Sequence, residues 1–190
     1  MEAQFLPRAA RWPILFLAVT ALACRLNLGG PDRPAAAPVS AAAATEASTT
    51  WDEALRQAIR TRQLTVILTE EQLTSVLAER TAADPDSILH DPVVTLRDGV
   101  IQIFGVLRQG SVEANLRLVV TPVIDSDGRL GFELTSADFG PLPAPDGVRE
   151  AISGMLSEAL SGPMGSVATG FRVTSVAVAD GDLAIVAEMR

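Results

Sequence analysis

The sequence predicts an α+β fold with a mostly antiparallel sheet, a long amphipathic helix and two shorter helices towards the N-terminus. Three observations carry this. After Pro92 the apolar spacing changes from helical to alternating. Three Asp-Gly pairs, at 98–99, 127–128 and 180–181, sit between apolar runs and mark hairpin turns. Apolar residues recur at helical spacing around Trp51, Leu55 and Ile59, and again from Val148 to Leu160.

Taken in order, Thr50-Trp51-Asp52-Glu53 reads as a capping box opening a helix that runs to about residue 63. Thr65-Val66-Ile67-Leu68 is short and β-branched, which predicts a strand. Thr69-Glu70-Glu71-Gln72 is a second capping box, whose helix turns Leu73, Val76 and Leu77 inward. A polar segment follows from Thr81 to Asp91. Strand Val112 to Val120 places Val112, Ala114, Leu116, Leu118 and Val120 on one face, with Glu113, Asn115 and Arg117 on the wet one. Leu130, Phe132 and Leu134 repeat that alternation. The strand from Val100 to Leu107 is different: Val100, Phe104 and Val106 face one way, Ile101, Ile103 and Leu107 the other. It must be buried on both faces or offer one to something apolar. Phe139 to Pro145 is a stiff Pro-rich loop. Asp146 then caps the long helix, with Val148, Ile152, Met155, Leu156 and Leu160 on one side. Strands near 171–179 and 183–189 close the chain.

The first 24 residues read as an export signal. Arg8 and Arg11 precede 13 uncharged residues, Trp12 to Cys24, too few for the roughly 20 that a bilayer-spanning helix needs. The exit, Ala21-Leu22-Ala23-Cys24, fits ordinary cleavage after Ala23. It also resembles a bacterial lipobox, with Ala21 where the motif favours Leu, and implies diacylation of Cys24. The favoured reading is a lipoprotein anchored to the outer face of the bacterial membrane through Cys24. The alternatives are a secreted chain and an uncleaved signal anchor. Residues 25–50, rich in Ala, Pro, Ser and Thr, read as a linker, leaving 51–190 as a single domain.

Composition excludes much. All 15 basic residues are Arg, which removes Schiff-base lysines and the P-loop lysine. One Cys and one His leave no intramolecular disulfide, no Cys-based zinc site and no His-rich metal cluster. A net charge of −8 argues against nucleic acid as a partner.

Three features together resemble the lipomannan-elongation-maintainer and YpmS-type bacterial envelope families: Leu68 to Leu73 at the helix entry, Phe139 to Asp146 before the long helix, and Val178 to Ile185 in the last hairpin. The resemblance spans about Leu64 to Arg190. It implies a curled meander sheet packed lengthwise on the long helix, as in TULIP-like lipid-binding folds, with an apolar groove for acyl chains and no catalytic motif. The candidate groove residues are Val148, Ile152, Met155, Leu156, Leu160, Ile101, Ile103 and Leu107. The chain departs from the mycobacterial members in its Cys24 anchor.

Other candidate chemistry is weaker than its bland counterpart. Asp125-Ser126-Asp127-Gly128 resembles part of a calcium loop, but loop positions one and twelve fall on Val123 and Leu134. Asp84, Asp86, His90 and Asp91 read as a solvated loop before they read as a metal site. No nucleophile elbow is present. The expectation is a non-catalytic protein without cofactor or metal, partnered by the membrane and by a lipid or other apolar molecule. The competing expectation is a structural or interaction module of the envelope with a filled core and a protein partner.

Overall fold

The computed structural model describes residues 26–27, 29–35, 38–110, 112–140 and 170–190. Alternating sequences separated by short turns give four consecutive strands: β3 (Leu89–Arg97), β4 (Val100–Gln109), β5 (Val112–Ile124) and β6 (Leu130–Asp138). They pair antiparallel in chain order, a meander. A two-residue strand, β1 (Leu26–Asn27), joins in parallel at the start of β5, on the edge that β6 occupies further along. The remaining strands form a second sheet instead of extending the first: β2 (Gln63–Thr69), β8 (Asp182–Met189) and β7 (Phe171–Ala179), in that order and antiparallel. The expected single sheet is therefore two.

Two of the Asp-Gly turns are the tight ones their sequence demands. Asp98 and Gly99 have φ of 54° and 78°, and Asp180 and Gly181 have 52° and 90°, both residues left-handed as a two-residue hairpin requires. The third differs. Ile124 pairs with Leu130 across a five-residue loop, in which the Asp125 carboxylate accepts from the amides of Asp127 and Arg129 at 2.9 and 2.8 Å. The aspartate replaces the backbone bonds of a tighter turn.

Helix α1 (Ala41–Thr61) corrects the expected start at residue 51. Ser40, not Thr50, is the N-cap: its hydroxyl accepts from Ala43 N at 3.0 Å. The supposed linker thus contributes half the helix. Ala44, Ala47 and Ala58 are buried, with Trp51 and Ala54 half-buried between them, a stripe at alternating steps of three and four. Alanine is the strongest helix former, and its small side chain lets the helix approach closely. Ile59, expected to face inward, is 72% exposed.

Helix α2 (Glu70–Ala83) starts at the expected capping box, with Gln72 N to Thr69 Oγ1 at 3.2 Å and Thr69 N to Gln72 Oε1 at 3.1 Å. Its fully buried side chains are polar, Gln72, Thr74 and Ser75, while Leu73, Val76 and Leu77 are half-buried against the core. The reason is its position along the free edge of β3. Thr74 Oγ1 accepts from Val94 N at 2.9 Å and Glu70 Oε1 from Leu96 N at 2.7 Å, while Gly181 N donates to Leu96 O at 3.1 Å. Edge amides that would otherwise invite another strand are satisfied. Ser75 Oγ accepts from Ser40 N at 3.2 Å and so ties the entry of α1 to α2.

The core lies between the two sheets. Leu64, Val66, Leu183 and Ile185 of the smaller sheet meet Leu96, Ile103, Leu116 and Leu118 of the larger, all 3% exposed or less. Each such side chain contributes about 1.5–3 kcal/mol by burial. Gly105 of β4 belongs to this packing: a Cβ there would stand 2.5 Å from Leu89 Cδ1. Opposite it β3 bulges between His90 and Val93, which is how Pro92 is tolerated inside a strand. No helix among the described residues is long and apolar enough to cross a membrane.

Candidate functional site

Strand β4 is buried on both faces. Ile101 and Ile103, at 2% and 3%, point into the core between the sheets, and Phe104 and Val106, at 8% and 4%, point to the other side. The antiparallel register then builds a row across that outer face. Val93 pairs with Phe104, Phe104 with Arg117, and Arg117 with Asp138. In the next row His90 pairs with Val106 and Val106 with Asn115. Val93 is 3% exposed, and none of Val93, Phe104 and Val106 belongs to the main core cluster. The larger sheet therefore has a second apolar surface, crossed by one guanidinium.

That guanidinium is unusual. Arg117 Nε is buried and has no hydrogen-bond partner. Asp138 Oδ1 accepts from Gly140 N at 2.9 Å, and Glu113, four residues before Arg117 on the same face, pairs with Arg108 at 3.4 Å. Arg108 also bridges to Asp91 at 3.5 Å.

A surface cleft of about 460 Å³ opens beside His90. Val39 and Ser40 lie on one side, Ser75, Ala78 and Glu79 of α2 on another, and Asp91 and Pro92 of the bulge close it. Its size suits a small molecule. Two of its polar groups are already engaged, Ser75 with Ser40 N and Asp91 with Arg108. Asp91 has a φ of 48°, and Arg33 donates to its carbonyl at 3.2 Å.

The structure separates the residues that the sequence grouped as a groove. Ile101 and Ile103 lie in the packed core, with Leu107 half-buried against it, so these three belong to the face opposite the Phe104 row. Val148, Ile152, Met155, Leu156 and Leu160 lie outside the described residues, as does Cys24. The Asp84 and Asp86 step is a turn, Asp84 Oδ1 accepting from Asp86 N at 3.0 Å. Among the described residues no group of three His, Cys, Asp or Glu is placed to hold a metal ion. Sequence reasoning assigned Phe104 and Val106 to one face and Arg117 to the polar face of β5, where it is half-buried, but missed Val93. The signal that would have found it is the β3–β4–β5 register, fixed by the two-residue turn at 98–99 and by the pairing of Gln109 with Val112. No protein-family model matches the sequence, and no curated protein does so.

Proposed function

We propose that the chain is an exported, non-catalytic envelope protein, held on the outer face of the membrane through acylated Cys24, that binds a lipid or other long apolar molecule against the outer face of its larger sheet. What supports this reading is the second apolar face of the larger sheet, where Val93, Phe104 and Val106 lie apart from the core between the sheets; the chain itself covers them, so a ligand would take the place of what covers them. A sheet that only closes a core can leave its far side wet, as antiparallel sheets commonly do. The anchor follows from the signal-like segment ending at Ala21-Leu22-Ala23-Cys24. Leu26 pairs with Val112 only two residues later, a chain reach of about 7 Å, so the domain would ride against the membrane surface instead of at the end of a tether.

Solvent extraction of the full chain purified in mild detergent, followed by mass spectrometry, tests the ligand. The expected result is a co-purified lipid together with saturable uptake of a fluorescent fatty acid; finding neither contradicts the reading. Metabolic labelling with palmitate tests the anchor, and label is expected in wild type and absent from Cys24→Ala.

A second reading, a structural module with a protein partner, is favoured by the packing of Ile101 and Ile103 inside a continuous core. Cross-linking in intact cells that captures one stoichiometric protein, with no lipid in the extract, would select it.

A further inference from the structure

We infer that the β4–β5 end of the larger sheet, around residues 109–113, is the surface that the domain turns to the lipid bilayer, with the turns at 98–99 and 180–181 at its far end. The inference rests on the acylated Cys24 proposed above and names the surface on which that anchor seats the domain.

Very little chain separates the anchor from the fold. Cys24 precedes Leu26 by two residues, a reach of at most about 7 Å. Leu26 pairs with Val112 in the neighbouring strand, which adds about 5 Å. The anchor point thus lies within about 12 Å of the Val112 backbone. β1 runs parallel to β5, whose first residue is Val112, so the chain enters the sheet at the ends of its strands and not across a face.

The chain that follows has no slack to give. Gly29 O accepts from Asn115 N at 2.8 Å, and Gly30 lies so close that a Cβ on it would stand 2.4 Å from Asn115 O. Arg33 then donates to Asp91 O at 3.2 Å, and Ser40 N donates to Ser75 Oγ at 3.2 Å. Asn115, Val106 and His90 are register partners, and Asp91 follows His90. Residues 30–33 therefore cross from β5 to β3 over two strand spacings of about 4.8 Å, a gap that three residues just span. A free linker lets a domain tumble at its end. A strap stitched to β5, β3 and α2 fixes which end of the domain meets the membrane.

The other end is as well defined. β4 runs from Val100 to Gln109, and at about 3.3 Å per residue the turn at 98–99 stands about 30 Å along the strands from the anchored end. The smaller sheet is fastened on that side. Gly99 N donates to Val178 O and Gly181 N to Leu96 O, both at 3.1 Å, and Val173 N donates to Gly128 O at 2.8 Å, past the C-terminal end of β5.

The test reads distance to the bilayer at both ends. The full acylated chain is purified in mild detergent and reconstituted in equimolar phosphatidylethanolamine and phosphatidylglycerol vesicles doped with a nitroxide-headgroup lipid. A thiol-reactive fluorophore is placed at Gln109→Cys or at Asp182→Cys; the sulfur of an acylated Cys24 is a thioether and takes no label. Quenching is expected to be several-fold stronger at 109 than at 182. Asp86→Cys, on the loop whose Ile88 carbonyl accepts from Arg108 N, repeats the near-end reading should the Gln109 variant misfold. A flexible Gly-Ser insertion of ten residues after Arg25 should abolish the difference, because it restores the slack that the strap removes. Equal quenching at both ends, stronger quenching at 182, no quenching at either, or a difference that survives the insertion would each overturn the inference while leaving the anchor in place. Mass spectrometry of the same samples separates the two: a chain without acyl groups overturns the anchor and the inference together.

Discussion

The two sheets solve the same packing problem with different outcomes. In the smaller one, Leu64, Val66 and Leu68 of β2 alternate with exposed Gln63, Thr65 and Ile67, so a single face is apolar and the other meets water. In the larger one, β4 sends Ile101 and Ile103 into the core and Phe104 and Val106 to the opposite side, and all four are buried. The difference teaches where function is to be sought. A one-faced sheet is fully explained by the core it closes. A two-faced sheet carries an apolar surface that the core between the sheets leaves unexplained, and here the half-buried Arg117 stands beside it.

Substitutions can break this comparison directly. Leu118→Ala, in the shared core, is expected to cost about 2–5 kcal/mol in denaturant unfolding. Phe104→Ala is expected to cost about 3–5 kcal/mol, a full core penalty from a residue outside the core cluster. Ile67→Ala, on the wet face of the smaller sheet, should stay within about 0.5 kcal/mol. If Phe104→Ala were as mild as Ile67→Ala, the second apolar face would not exist in solution.

Smaller effects sharpen the contrast at the edges. Thr74→Val removes the acceptor of the buried Val94 amide and should cost about 1–3 kcal/mol, with faster hydrogen exchange confined to the β3 edge. Gly30→Ala should act locally. A Cβ there would stand 2.4 Å from Asn115 O at a φ of 129°, so the Asn115 amide, which donates to Gly29 O at 2.8 Å, should lose its exchange protection while the core amides keep theirs. The smallest effect concerns pH at the loop of residues 125–129. The backbone hydrogen bond from Arg129 holds the Asp125 carboxyl below its ordinary value, although the group is solvent-exposed. A carboxyl whose folded pKa is depressed contributes stability that is complete above its unfolded value, near pH 4, and is lost as pH falls through the folded value. An NMR titration should therefore place the Asp125 midpoint below about 3.9, with no change in the loop between pH 5 and 7.

What could be read in the sequence was what neighbouring residues decide. The turns at Asp98-Gly99 and Asp180-Gly181 and the Thr69–Gln72 box depend on a handful of adjacent positions, and they occur where their chemistry placed them. The alternation of β5 likewise predicted the burial of Ala114, Leu116, Leu118 and Val120. What could not be read depends on distant partners. Ala41 to Thr50 resembles a spacer until Ser75 meets Ser40 and the alanines find a surface to cover. The split into two sheets follows from β2 pairing with β8, more than a hundred residues away, which no local pattern specifies. Half of the candidate site was visible as the odd apolar pair Phe104 and Val106. Arg117 looked like an ordinary polar position because alternation assigns a face without saying what stands beside it across the strands.

The most direct measurement is photo-cross-linking of the full chain with a diazirine-bearing fatty acid, followed by peptide mass spectrometry. The account predicts adducts concentrated on β3, β4 and β5 around Val93, Phe104 and Arg117. Adducts confined to exposed apolar residues such as Ile59 and Ile67, or no adducts at all, would contradict it.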